Sequence, residues 1–255
     1  MQVGDYLVKY VGEMSDPSSM EHELNQAIAY YSKVIERKGD FLDNARVGKA
    51  QALAYRNKGN DKQDAIALYQ EVSECGDPII MAPALYGMAE NYMSTGNVKQ
   101  AIACAEKFLN NRQMTYKRLD MILLAGDAYL KDQNYNSALI QFMNVYNQNK
   151  GRFEYSIPAC IKMMDTWAAR NTPATGDRMK GDFKHSDAYQ AWSTGKSFKE
   201  LIDRSVKAGG DKFKLTGSQM KLLSDLEAKV KAAYTPQVQQ EEKQRVDFAN
   251  RVHKN

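Results

Sequence analysis

Leu85 to Leu109 reads LYGMAENYMSTGNVKQAIACAEKFL and Ile122 to Tyr146 reads ILLAGDAYLKDQNYNSALIQFMNVY, and the two stretches superpose by role. Leu85 stands over Ile122, Met88 over Ala125, Ala89 over Gly126, Tyr92 over Tyr129, Val98 over Tyr135, Ala101 over Ala138 and Phe108 over Val145. Each copy places apolar residues three and four apart, breaks at a polar turn and then resumes the same spacing. That spacing brings side chains onto one face of an α-helix, so each copy reads as helix, turn, helix.

Two further copies lie upstream. Ala45 to Val72, ARVGKAQALAYRNKGNDKQDAIALYQEV, puts Ala52 and Tyr55 on a first helix, Gly59 and Asn60 in the turn, and Ala65, Tyr69 and Val72 on a second helix. Asn25 to Glu36, NQAIAYYSKVIE, supplies a second helix through Ala27, Tyr31 and Val34. Its partner is expected over Asp5 to Met14, where Tyr6, Leu7, Tyr10, Val11 and Met14 are apolar, with Ser15 to Ser19 and its Pro17 connecting the two. The second-helix alanines Ala27, Ala65, Ala101 and Ala138 follow one another at 38, 36 and 37 residues. A steady period in this range is the signature of a stacked-repeat architecture.

The small residue followed by Tyr on the first helix, the Gly-Asn or Asn-Tyr turn, and the Ala-Ile or Ala-Leu opening of the second helix resemble the tetratricopeptide repeat, over roughly residues 5 to 169. The period exceeds the family's usual length of about 34 residues. The longer helices and the segment Ala82-Pro83-Ala84-Leu85 are similar to bacterial envelope repeat proteins, such as the lipoprotein of the outer-membrane barrel-assembly machine and the Tol-Pal coordinator. The resemblance implies an all-α, right-handed α-α superhelix of four to five helix pairs, with small residues allowing close approach and aromatic residues filling the space between repeats.

After Arg152 the pattern loosens. Tyr155 to Ala169, YSIPACIKMMDTWAA, makes a fifth first helix, but no second helix follows on schedule. Residues 170 to 185, with Pro173, Gly176 and Gly181, read as an irregular loop. Ser186 then caps a helix through Tyr189, Trp192, Phe198 and Ile202, with a break expected near Gly195 and an end at Gly209-Gly210. A further helix runs from Ser218 to Ala233, and Thr235-Pro236 opens a last one in which Val238, Val246, Phe248, Ala249 and Val252 are the apolar residues. The expected division is therefore repeats over 1–169 and a helical C-terminal extension over 170–255. No strand pattern occurs anywhere.

The 255 residues are 43% hydrophobic and 26% charged, which excludes disordered and fibrous classes. The most apolar window, Met121 to Leu130, is broken by Gly126 and Asp127, so no transmembrane segment is expected. The first twenty residues lack the basic start and apolar block of a signal peptide. The expected compartment is the cytoplasm or, for a mature or truncated form, the bacterial periplasm. Residues 1 to 169 carry 18 Lys+Arg against 20 Asp+Glu, net −2, and residues 170 to 255 carry 17 against 11, net +6. The basic tail is read as solvated lysines, because aromatic residues do not interleave with the bases as in single-strand binders; nucleic acid is not an expected partner.

Chemistry-bearing patterns are sparse. Cys75, Cys104 and Cys160 lack metal or disulfide spacing, and His22, His185 and His253 stand apart. Gly195-Lys196-Ser197 resembles the end of a phosphate-binding loop, but the residue five before Gly195 is Gln190 where a glycine is required. No enzyme activity, cofactor or metal is expected.

What remains is the concave face, which first helices line in the family that the repeats resemble. The residue after Ala89 is Glu90, the one after Gly126 is Asp127, and the same phase in the next unit gives Asp165. These form an expected acidic row flanked by Tyr86 and Lys131, with Lys49 and Arg56 presented by the preceding repeat. Chaperone-binding adaptors of the family carry Lys, Asn and Arg at such positions, and acids and Leu stand here instead. The expected function is a scaffold that binds a peptide or partner protein in this groove. One alternative is a small-molecule or peptide sensor walled by the 170–185 loop with Trp167, Tyr189 and Trp192. A further reading pairs two copies of the chain through the last helix.

Overall fold

Helix starts follow the cap chemistry on offer. Asp16 accepts the Ser19 amide at 2.7 Å and Asp77 accepts the Ile79 amide at 2.9 Å. Each is followed by a proline at the first helical position, where the missing N–H has no intrahelical partner to lose. Thr216 and Gln219 close a reciprocal capping box. The computed structural model describes residues 16–209 and 214–252, and within them eleven α-helices and no strand. They are α1 (Pro17–Glu36), α2 (Leu42–Arg56), α3 (Asp61–Val72), α4 (Pro78–Ser94), α5 (Val98–Asn110), α6 (Arg118–Lys131), α7 (Tyr135–Gln148), α8 (Phe153–Arg170), α9 (Asp187–Gly209), α10 (Gly217–Ala233) and α11 (Pro236–Val252). The helix expected over Asp5 to Met14 lies outside the described residues, as do Gly210 and His253.

One start differs from expectation. Pro17 opens α1 rather than sitting in a connecting stretch, and α4 begins at Pro78 with Pro83 inside it. Pro83 and Pro158 both stand sixth in their helices, within the second turn, where each removes one backbone donor without ending the helix.

The helices divide into two compact units between Asp132 and Gln133. In the first unit each helix from α1 to α6 packs on the next, and the first helices also touch one another, α2 on α4 and α4 on α6. Ala27, Ala65 and Ala101 are fully buried at these crossings. The closest approaches are made by glycine. A Cβ at Gly48 would lie 2.3 Å from Cζ of Tyr31, and one at Gly87 would lie 2.3 Å from Cζ of Tyr69. Both tyrosines are buried, so each ring of a second helix seats directly on the backbone of the next first helix. Leu85, Phe108, Met114 and Met121 fill the rest of this core.

In the second unit α8 packs on α7, α9 and α10, and α9 packs on α10 and α11. Ala138, Phe142, Ile157 and Phe198 are buried here. The second helix that the sequence withholds after α8 is α9, delayed by the 171–186 segment. A repeated lock shows the equivalence. Arg56 ends α2, Asn57 takes a left-handed conformation at φ 50°, and buried Asp61 opens α3. Arg56 donates to Asp61 through Nε at 2.8 Å and Nη2 at 2.6 Å, and to Asn25 of α1 at 2.8 Å. Arg170 ends α8, Asn171 has the same φ of 50°, and buried Asp187 opens α9. Arg170 donates to Asp187 at 2.9 and 2.6 Å and to Asn136 of α7 at 2.7 Å. Asn25 and Asn136 each stand two residues before the buried second-helix alanine. One lock thus closes a four-residue turn at 57–60 and a much longer one at 171–186.

The long turn is ordered. Thr175 and Lys184 pair through two backbone hydrogen bonds of 3.0 and 2.8 Å, and Arg178 stacks 3.7 Å over the Phe183 ring. The boundary expected after residue 169 therefore falls inside one packed unit, at the end of α8. α9 also runs unbroken through Gly195. There the missing side chain admits neighbours, because a Cβ would lie 2.6 Å from Met164 Sδ and 2.7 Å from Val230 Cγ2. The backbone of Gly195-Lys196-Ser197 is committed to that helix rather than to a phosphate cradle.

Candidate functional site

The first unit carries a concave cleft of ≈ 900 Å³. Its walls are two helical stripes, Asn44, Gly48, Gln51 and Tyr55 of α2, and Pro83, Gly87, Glu90 and Ser94 of α4. Within each stripe the steps are four, three and four residues, which keeps one face of a helix turned inward. The two stripes are 39 residues apart at every position, and Gly48 and Gly87 share the same seat on a tyrosine ring. Tyr31 and Tyr69 reach the cleft beneath those glycines, and Tyr86, Tyr116 and Lys117 close its far side.

The aromatic side is electrostatically organised. Tyr86 and Tyr116 meet edge to face with ring centroids 6.0 Å apart. The Lys117 ammonium stands 4.9 Å from the Tyr86 centroid and 5.7 Å from that of Tyr116. Glu90 is reachable by solvent across the open cleft yet surrounded by protein. Burial pushes its carboxyl above the ordinary value, the Tyr86 hydroxyl and Lys117 oppose that rise, and Asp120 reinforces it. Burial also pushes the Tyr69 and Tyr86 hydroxyls up, with the Glu90 charge adding to the effect. The tyrosines therefore stay neutral and present ring faces, hydroxyl donors and acceptors.

Of the seven residues expected to bind, Tyr86 and Glu90 line this cleft. Lys49 and Arg56 each stand one residue beyond the α2 stripe, a turn of about 100° round the helix. Lys49 is half-buried, and the Arg56 guanidinium is engaged by Asp61 and Asn25 while lining a smaller depression of ≈ 400 Å³ with Pro17, Met20 and Tyr55. On α6, Asp127 is half-buried and Lys131 is exposed at the last helical position. Asp165 belongs to the second unit, where Lys229 of α10 forms an ion pair with it. The acidic row thus contributes one member, Glu90, to the cleft.

A period measured on the second helices does not reveal Gln51 and Tyr55 as cleft residues. Gly48 precedes Ala65 by 17 residues, whereas Gly87 precedes Ala101 by 14. The stretch from the seated glycine to the crossing alanine is thus three residues shorter in the later copy, whose α4–α5 turn carries Gly96 at φ 80°. The Gly-Tyr pairs 31/48 and 69/87 were the signal that sets the register.

Elsewhere the chemistry-bearing residues serve the fold. Tyr189 stacks on His185 at 4.0 Å and Trp192 on Tyr234 at 4.9 Å, so the cluster expected to wall a sensor pocket is packed by the chain's own rings. His185 Nδ1 and the Ser186 hydroxyl both bond Glu241 at 2.6 Å. These are the residue types of a hydrolase triad, but the serine and histidine converge on one carboxylate rather than on each other, and the result fastens α11 to the start of α9. Burial pushes the Cys104 thiol up to about 11 and that of Cys160 to about 12, so neither is an activated nucleophile. Among the described residues no group of three His, Cys, Asp or Glu is placed to hold a metal ion, and no helix is long and apolar enough to cross a membrane.

Helix pairs with alanine at the crossings and an inward-facing first-helix stripe define an all-α helical-repeat fold. Residues 83–112, from Pro83 through α5, match the family model of the tetratricopeptide repeat, so the chain carries that repeat and its fold is a tetratricopeptide-like solenoid. The match is to the repeat as such and not to an envelope type. Repeats of this family generally mediate protein–protein interaction, which makes proteins the expected class of partner. No curated protein significantly matches the chain.

Proposed function

We propose that the chain is a binding scaffold whose cleft between α2 and α4 holds an extended segment of a partner protein. The observation that carries this reading is the composition of the cleft lining. Tyrosine rings supply apolar area at low entropic cost, while the amides of Asn44 and Gln51 offer donors and acceptors to a peptide backbone. Tyr55 is 62% exposed and Tyr116 38% exposed, and a solvated aromatic rim of this kind gains from being covered. The family's general use of repeats for protein contacts supports the same reading.

The test places a photo-crosslinking residue at Tyr55 or Tyr116 in the native host, with Tyr30 on α1 as a control outside the cleft lining. Partner capture from the two cleft positions, lost on competition with the captured segment as a synthetic peptide, is the expected result. Capture from Tyr30 alone would move the binding surface elsewhere.

A further inference from the structure

Two lysines of the chain, Lys62 and Lys117, line the cleft, and the second already stands over tyrosine rings. Five of the 15 tyrosines of the sequence, Tyr31, Tyr55, Tyr69, Tyr86 and Tyr116, line this one concavity. A ring face carries the negative lobe of the aromatic quadrupole, so such walls favour positive charge. Lys117 occupies that environment, its ammonium over two rings. Glu90 is the single acid lining the cleft, and Asp120 lies near enough to act on its charge. The Glu90 side chain is exposed to the open cleft, so its carboxylate is accessible to a cationic group entering there.

Resting on the reading of the cleft as a peptide groove, we propose that the partner segment lays an arginine or lysine side chain over the Tyr86 and Tyr116 rings beside Glu90, displacing the Lys117 ammonium. Lys117 suits the part of place-holder. It is exposed and sits in a left-handed conformation, φ 44°, just before α6, and its flexible stem returns the ammonium to water at little cost. A guanidinium suits the replacement, since its plane stacks on a tyrosine ring while its fork reaches a carboxylate. An acidic side chain placed over the Tyr86 ring would instead meet Glu90.

The experiment selects a random-peptide library on the full chain, discarding peptides that also bind the double variant Gln51→Ala/Tyr55→Ala, which trims half-buried Gln51 and exposed Tyr55 from the cleft wall and leaves the fully buried core residues in place. Affinities of the retained peptides are then measured by fluorescence anisotropy. The expected set carries a basic residue whose replacement, citrulline for arginine or norleucine for lysine, weakens binding about tenfold, with Glu90→Gln costing a similar factor and adding little once the peptide is already neutral. Lys117→Met, which removes the competitor, strengthens the parent peptides several-fold. Retained peptides that are neutral or acidic, or a weakening by Lys117→Met, overturn the inference and assign Lys117 as a ligand, while leaving the groove standing. A selection that returns no cleft-dependent peptide removes the groove reading and the inference with it.

Discussion

Gly87→Ala tests the contact that sets both the repeat register and the cleft floor. The added methyl would lie 2.3 Å from Tyr69 Cζ, 2.5 Å from its hydroxyl oxygen and 2.6 Å from Cε2. Unbonded carbons normally approach to about 3.5–4.0 Å, so the substitution is short by more than about 1 Å. Tyr69 is buried, so either its ring must shift toward the cleft or α3 and α4 must separate. Overpacking of this kind costs about 1–3 kcal/mol, and the overlap with a rigid ring places Gly87→Ala at the upper end. Alanine in a helix returns about 1 kcal/mol of backbone entropy that glycine had sacrificed. The net expectation is a loss of about 2 kcal/mol, seen as a fall of about 4–8 °C in Tm by circular dichroism and a lower urea midpoint. The decisive comparison uses Tyr69→Leu as background. With the ring gone, Gly87→Ala should raise stability by up to about 1 kcal/mol, because only the helix-propensity gain survives. A rise in Tm on adding Gly87→Ala to the otherwise native chain would refute the ring-on-glycine account and the 39-residue register built on it.

Gly195→Ala in α9 should cost less, about 1 kcal/mol, because the atoms it meets include the flexible thioether of Met164; equilibrium unfolding of the two glycine variants side by side checks the order. The locks predict acid sensitivity. The Arg56 guanidinium, against burial and aided by the Lys58 amide, holds Asp61 below the ordinary carboxylate value of 3.8, and for Asp187 the Arg170 guanidinium and Thr172 amide outweigh the opposing effect of burial. A lowered folded value means that the stabilisation is complete above about pH 4 and is lost as pH falls through the folded value. Asp61→Asn and Asp187→Asn should each lose about 2–3 kcal/mol at neutral pH and flatten the acid decline, measured as the urea midpoint against pH. Glu241→Ala removes the acceptor for His185 and Ser186, and hydrogen exchange should quicken in α11 while α1 to α5 keep their rates. Cys75 is exposed and Cys104 and Cys160 are buried, so a maleimide should label one thiol in the folded chain and three after unfolding, counted by intact mass.

Much of the fold was legible because repeat stacking is written in local terms. Ala27, Ala65, Ala101 and Ala138 are fully buried where the spacing put them, since a helix crossing leaves room for a methyl and little else. The candidate site was less legible. Glu90 and Tyr86 face the cleft as expected, but on α2 it is Gly48 and Tyr55 that face it, each one residue before the expected Lys49 and Arg56. An error of one residue turns a helical side chain by about 100°, so a period measured on second helices does not transfer to first helices when turn lengths differ. The repeated Arg-Asn pair at 56–57 and 170–171, each followed by an Asp that opens a helix four residues before a buried alanine, Ala65 or Ala191, was present in the sequence as the mark of the fifth pair. The 171–186 segment hid it by lengthening one turn.

By itself, then, the sequence determined the all-α class, the repeat length and the residues at the helix crossings, all of which depend on neighbours within one or two helical turns. Tertiary structure decided which charges are available to a partner. Arg56 is held by Asn25, Asp165 by Lys229 and Glu241 by His185, at separations of 31, 64 and 56 residues. Pairings at that distance depend on how helices pack rather than on how they form. The same packing leaves Glu90 and Lys117 facing one another across a tyrosine-lined cleft.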